Sequence, residues 1–320
     1  MKNRVDPELV PALEGFLSLL GGGLNLHDIP ATRALLEQMR IATTAQLPPF
    51  EGVTSEDRRI PGPAGAPEVT VRIYTPTQKA ANLPVMLWMH GGGLVLGDLE
   101  SGDLALRQAV KAVNCVIVSV EYRLAPEHPF PAPLEDCYAA LQWLVSHATE
   151  LGVDPKRIAV GGASAGGGLA AGLALLARDR VEVNLAFQFL ILAALDDRNV
   201  VQASETVADS LGWTRENSLI AWRSYLGAEP GGKDVSPYAS PARAIDLTGL
   251  PPTYVCVGEL DLFVFENIEY ARRLIGAGVP TELHIYPGAY HGFDFIAPNS
   301  AITQRFMLDC HNALIRAFCV

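Results

Sequence analysis

The sequence is short of charge, of cysteine and of long apolar runs, and each shortage removes a class of function. Charged residues make up 18% of the 320 residues, below the usual share of about 25%. A disordered or solvating chain shows the opposite balance. No block of Lys and Arg offsets the formal net charge of -11, so nucleic acid and anionic membranes are not expected partners. The cysteines are Cys115, Cys137, Cys256, Cys310 and Cys319. Their number is odd and none forms a C-x-x-C pair, which leaves structural zinc and thioredoxin-type chemistry without support. Cys115 and Cys256 lie in apolar runs and read as buried thiols of a reduced compartment. No stretch approaches the roughly 20 apolar residues of a membrane helix. The opening residues meet Asp6, Pro7 and Glu8 where a secretory signal needs an apolar core. A cytoplasmic location is therefore expected.

What is present is a large apolar fraction, 49%, enough for one large core or two modest ones. Leu9, Val10, Leu13, Phe16, Leu17 and Leu20 recur at helical spacing until Gly21–Gly23 stop the stripe. A second helix is expected over Ala31–Ala42, followed by a connection at Pro48–Pro49. From Glu68 the period becomes two, with Val69, Val71 and Ile73 on one side. Nearly continuous apolar runs follow at Pro84–Met89, Cys115–Val120, Arg157–Val160, Ala186–Leu192, Thr253–Val257 and Glu282–Tyr286. Helical patterns stand at Leu134–His147, Ser164–Ala177, Phe263–Ala277 and Ala301–Phe318. Apolar strands alternating with helices indicate a parallel sheet covered on both faces. The stretch Asp196–Leu226 interrupts the alternation and reads as helical.

The chemistry concentrates at strand ends. Gly162-Ala163-Ser164-Ala165-Gly166 falls between a strand and a helix. A serine in so tight a turn takes a strained backbone and needs small neighbours. His90-Gly91-Gly92-Gly93 follows an earlier strand. Its glycines let backbone N–H groups turn towards a developing oxyanion, with Gly92, Gly93 and Ala165 the expected donors. His90 is expected to brace this loop. His291, in Tyr290-His291-Gly292-Phe293, follows the last strand and suits a base, whereas His284 and His311 read as structural or surface residues. Asp261, after the strand Thr253–Val257, suits the acid that orients His291. Glu259 is its rival. In Tyr122-Arg123-Leu124-Ala125-Pro126-Glu127, Pro126 and Pro129 stiffen a loop, with Arg123 and Glu127 placed to pair with each other.

These motifs, in this order from Pro84 to Phe293, resemble the hormone-sensitive lipase family of α/β-hydrolases, the bacterial family IV esterases. The resemblance implies an α/β-hydrolase fold, a mostly parallel central sheet flanked by helices, with a helical cap. Residues 1–50 and 196–240 would form the cap, and 51–195 with 241–320 the catalytic domain. It also implies a serine carboxylesterase for short- to medium-chain esters, with no metal or cofactor and a small-molecule substrate. Members often dimerise, so a homodimer is an admissible assembly. Trp213, Leu219 and Trp222 suit an apolar substrate group or the core of the lid. Two positions depart from the family pattern: Ala163 stands where an acidic residue is common, and Phe265-Glu266 where Asp-Glu is common. An amidase or peptidase of the same fold is the nearest alternative. A non-catalytic ligand-binding member is another, although such receptors lose the histidine that this chain keeps.

Overall fold

The computed structural model describes residues 4–44, 50–78, 80–199 and 211–319, with only the backbone of 43 and 44. Pro48–Pro49 and residues 200–210 of the mid-chain insertion lie outside the described residues.

The strands are β1 (Val53–Ile60), β2 (Val69–Pro76), β3 (Leu83–Met89), β4 (Val116–Glu121), β5 (Val153–Ala163), β6 (Phe187–Ile191), β7 (Thr253–Gly258) and β8 (Thr281–Tyr286). They form one eight-stranded sheet in the order β1-β2-β4-β3-β5-β6-β7-β8. β1 with β2 and β2 with β4 pair antiparallel; every pairing from β4 to β8 is parallel. The helices are α1 (Val10–Leu19), α2 (Ile29–Thr44), α3 (Asp103–Val113), α4 (Ala132–Ser146), α5 (Ala148–Leu151), α6 (Ala165–Arg180), α7 (Arg215–Leu226), α8 (Val264–Gly276), α9 (Phe293–Ile296) and α10 (Ala301–Phe318).

The apolar runs are explained by burial on both faces. Along β3, Val85, Leu87 and Met89 enter one core layer with residues of α4, α6 and α8. Met86 and Trp88 enter the other, with residues of α1, α3 and α10. A strand with no solvent face has no polar positions to alternate.

Three differences from the sequence reading have physical reasons. β1 was not foreseen: it is an edge strand whose buried residues are its ends, Val53 and Ile60. Its polar middle is held by cross-strand partners, Asp57 opposite Arg72 at 2.6 and 2.9 Å. α3 was also missed, although Leu106, Ala109 and Val110 give it a buried stripe. In the stretch Asp196–Leu226, the described helix begins only after Thr214, whose side chain accepts from the Asn217 N–H. Residues 196–199 form a turn instead.

Candidate active site

All four chemistry-bearing loops leave the same edge of the sheet, at the carboxyl ends of parallel strands, where open α/β sheets place their sites. The glycine loop follows β3, Ser164 follows β5, Asp261 follows β7 and His291 follows β8. Since β3 and β5 are neighbours, the glycine loop lies beside the serine. β6, β7 and β8 carry the other two residues round from its far side.

Ser164 has φ 55° and ψ -121°, a backbone state that costs a non-glycine residue about 1–3 kcal/mol. Surrounding bonds impose it. The Ser164 N–H donates to Ile191 O, and Ser164 O accepts from Gly168 and Ala194. The small neighbours are a steric demand. A Cβ on Gly166 would lie 2.1 Å from Met89 O, and one on Gly162 would lie 2.2 Å from Gly166 O.

Ser164 Oγ and His291 Nε2 are 2.9 Å apart. His291 Nδ1 and Asp261 Oδ2 are 2.8 Å apart, and the other oxygen of Asp261 accepts from the Phe263 N–H. Asp261 is wholly buried. Phe263 meets the His291 ring edge-on at 5.0 Å and Trp213 lies 6.4 Å away, so the imidazole is fixed by packing as well as by its hydrogen bonds. Glu259, the rival acid, does neither job. It accepts from Arg4 and from the Gly288 N–H, bracing the loop before His291. The first residues of the chain fasten that loop too: Asp6 N–H donates to Gly288 O and Tyr290 Oη donates to Leu9 O.

Gly92 and Gly93 have φ of 120° and 64°. Among the described residues, the N–H groups of Gly92, Gly93 and Ala165 meet no backbone acceptor. Ala165 opens α6, so the positive end of that helix points at the serine. His90 does brace the loop. Its ring stacks on Tyr122 at 4.3 Å, its Nδ1 lies 2.8 Å from Gly91 O, and Tyr122 Oη donates to His90 O. Burial holds its pKa below the usual histidine value, which keeps the ring neutral.

The proposed pairing of Arg123 with Glu127 is corrected. Arg123 binds buried Asp136 at 2.7 and 2.8 Å, and Glu127 binds Arg33 of α2 at 2.8 and 3.0 Å. Arg33 was not singled out in the sequence, yet it also donates to Val95 O and Ala125 O. One guanidinium thus ties the glycine loop to the Tyr122–Glu127 loop. Its partners lie 62 to 94 residues away, so no local pattern marks it.

In the second family departure, Phe265-Glu266, the phenylalanine faces solvent. Glu266 is buried and accepts from the Leu195 and Asp196 N–H groups and from Asn199. Burial drives its pKa well above the usual carboxyl range, against the pull of those hydrogen bonds. It steadies the turn whose Ala194 N–H holds Ser164 O. Above the serine lies a small cavity walled by Trp213, Ala221, Trp222 and Tyr225 from around α7 and by Leu169 and Phe263. Leu219 is not among its walls; it is partly buried against the core.

The architecture and this arrangement define a hydrolase of the α/β-hydrolase fold. A family model described as the alpha/beta hydrolase fold matches residues 86–295, and the chain belongs to that family, as a carboxylesterase of the hormone-sensitive lipase type. Among individual proteins, it is 36% identical over 292 residues to esterase LipI of Mycobacterium tuberculosis, covering 90% of this chain and 88% of the relative. Among solved structures, it resembles a bacterial heroin esterase at 45% identity and TM-score 0.93, covering 99% of this chain and 98% of the other. Esterase LipW from Mycobacterium marinum matches at 37% identity and TM-score 0.86, over 99% and 97%. Among the described residues, no helix is long and apolar enough to cross a membrane.

Proposed function

We propose that Ser164, His291 and Asp261 are the catalytic triad of this carboxylesterase and that Gly92, Gly93 and Ala165 form its oxyanion hole. The observation that carries this reading is the unbroken relay from Ser164 Oγ to His291 at 2.9 Å and on to Asp261 at 2.8 Å. Ser164 Oγ bonds to the ester carbonyl carbon while its proton passes to His291 Nε2. Asp261 holds the Nδ1–H tautomer and stabilises the imidazolium. The three N–H groups take up the charge on the carbonyl oxygen. Collapse breaks the bond to the alcohol, which leaves with the proton from His291. Water, deprotonated by His291, then releases the carboxylic acid and restores the serine.

Residues 1–50 and 196–240 act as the cap over the catalytic domain of 51–195 and 241–320. Asn217 Nδ2 donates to Leu24 O and His27 meets Glu216, joining the two cap segments. The narrow, largely apolar cavity beneath favours short- to medium-chain esters. Four buried thiols free of disulfides suit a cytoplasmic home, and β8, which among the described residues pairs only with β7, leaves a sheet edge for a homodimer. Sedimentation of the purified chain tests the assembly.

The deciding experiment pairs Ser164→Ala with a fluorophosphonate probe. Wild-type protein should hydrolyse p-nitrophenyl butyrate and be labelled at Ser164, and the variant should do neither while keeping its melting temperature. Turnover or labelling retained by a folded variant defeats the assignment.

A further inference from the structure

One aromatic ring stands between the glycine loop and the histidine loop. Trp213 enters the roof just before α7 and walls the cavity above Ser164. The outer edge of its indole rests on the glycine loop: a Cβ built on Gly93 would lie 2.5 Å from Cη2 and 2.8 Å from Cζ2. Its ring centre is 6.4 Å from that of His291, with the planes at 50°. The ring is also held in place. Nε1 donates to Ser218 Oγ at 2.8 Å. The residue before it packs so closely on the histidine loop that a Cβ on Gly212 would collide with His291 O, and Gly212 has φ 80°, a conformation open to glycine. The indole is buried, so it is a fixed wall and not a surface ring.

The geometry of acyl transfer says which part of an ester meets that wall. The tetrahedral carbon formed on Ser164 Oγ carries three other groups. Its oxyanion lies against the glycine-loop donors. The oxygen of the leaving alcohol must reach the histidine that protonates it. The acyl chain takes the remaining direction, away from both. A ring that touches Gly93 and lies beside His291 therefore borders the two oxygens, and it faces the alcohol group. The cavity lies elsewhere. It follows Ala165, Gly168 and Leu169, one face of α6, and His291 is not among its walls. That is the direction left for the acyl chain.

We propose that Trp213 is a specificity-determining residue whose indole divides the acyl cavity from the alcohol side of the site and limits the bulk of the alcohol group next to the scissile oxygen. The preferred substrates are therefore esters of slender alcohols, straight-chain or flat, whereas bulk on the acyl side is governed by other walls. The inference rests on the reading of Ser164, His291 and the glycine loop as the catalytic machinery, since it takes their positions as those of the substrate's oxygens. The limit is steric. A saturated ring attached at the alcohol oxygen meets a wall pinned at both its backbone and its Nε1, and the wall cannot yield without giving up the Ser218 bond or the packing of Gly212 on His291 O.

The test compares two ester pairs on wild type and Trp213→Ala, using the full chain. Cyclohexyl butyrate against hexyl butyrate places the bulk on the alcohol. Ethyl cyclohexanecarboxylate against ethyl heptanoate places it on the acyl group. Intrinsic reactivity differs within each pair, but that difference is common to both proteins and cancels in the ratio of ratios, as does any general loss of rate in the variant. The kcat/KM ratio of cyclohexyl to hexyl butyrate should rise by about tenfold in Trp213→Ala, the scale of steric discrimination in an apolar pocket. The acyl-side ratio should stay within about twofold of wild type. Should Trp213→Ala not fold, Trp213→Phe keeps a ring but lacks the outer edge that reaches Gly93, and it should shift the alcohol-side ratio in the same direction by a smaller factor. An unchanged alcohol-side ratio overturns the proposal. So does an equal rise in both ratios, which makes Trp213 a general roof and not a wall of the alcohol side. If wild type hydrolyses neither hexyl butyrate nor ethyl heptanoate, the esterase reading itself has failed; if it hydrolyses both and the ratios do not move, only the role of Trp213 has.

Discussion

Two regions meet at Ser164, a floor of strand ends and a roof of helices, and they are held by different forces. In the floor, backbone bonds and glycine contacts fix Ser164: Ile191 O, Gly168, Ala194 and the close approach of Gly166 to Met89 O. In the roof, side chains make many of the attachments: Asn217 to Leu24 O, His27 to Glu216, Trp213 to Ser218 and Arg33 to two loop carbonyls, beside backbone bonds from Phe130 N–H to Tyr225 O and from Asp6 N–H to Gly288 O. A floor of backbone contacts tolerates almost no substitution. A roof of side-chain contacts can be altered one residue at a time.

Substitutions ranked by effect put this contrast at risk. Asp261→Asn should lower kcat about 10⁴-fold with little change in fold, since the amide favours the wrong histidine tautomer; single-turnover kinetics with a p-nitrophenyl ester read it. Gly166→Ala should cost on the order of 4 kcal/mol of stability through its backbone clash, measured by urea unfolding. A small shift there would show the floor to be as pliable as the roof. Asp197→Asn comes next. Asp197 is buried and pairs with Arg243 at 2.5 and 2.8 Å, with Gly231 N–H also donating to it. Leaving the guanidinium without its partner should cost about 3–5 kcal/mol at neutral pH.

The same pair carries a pH signature. Burial pushes the Asp197 carboxyl upward, but Arg243, Gly231 and Ser240 together outweigh it and leave the pKa below the usual 3.8. Its stabilisation is therefore complete above that value and is lost as pH falls through the lower native one. Melting temperatures of wild type and Asp197→Asn should converge in acid below about pH 4. Arg33→Ala should lower kcat about tenfold by loosening the glycine loop, a roof residue acting on the floor. His27→Ala should change stability by at most about 0.5 kcal/mol, because its pairing with Glu216 is exposed. A larger loss would mean that the roof is knit more tightly than its surface contacts suggest.

The sequence reveals those parts of the molecule whose causes are local. α10 was expected at Ala301–Phe318 and is found there, because its apolar stripe and flanking breakers are contiguous. Ser164, Asp261 and His291 were legible because each follows a strand and is flanked by the small or turn-forming residues its loop requires. β1 was not, since an edge strand with a polar middle has no apolar period to detect. Arg33 was invisible for another reason. Its significance lies in the carbonyls and carboxylate it faces 62 to 94 residues away. The misassigned pairing of Arg123 with Glu127 has the same origin: two opposite charges close in sequence each found a better-placed partner farther off.

The bonds from Asp6 to Gly288 and from Tyr290 to Leu9 span 281 to 282 positions of a 320-residue chain. On the ribosome, the first helix emerges long before the loop it must clasp, and the serine is made well ahead of its histidine. A nascent chain that stops short of His291 has neither the imidazole nor the loop that the first helix clasps. Onset of ester turnover would time the arrival of that loop.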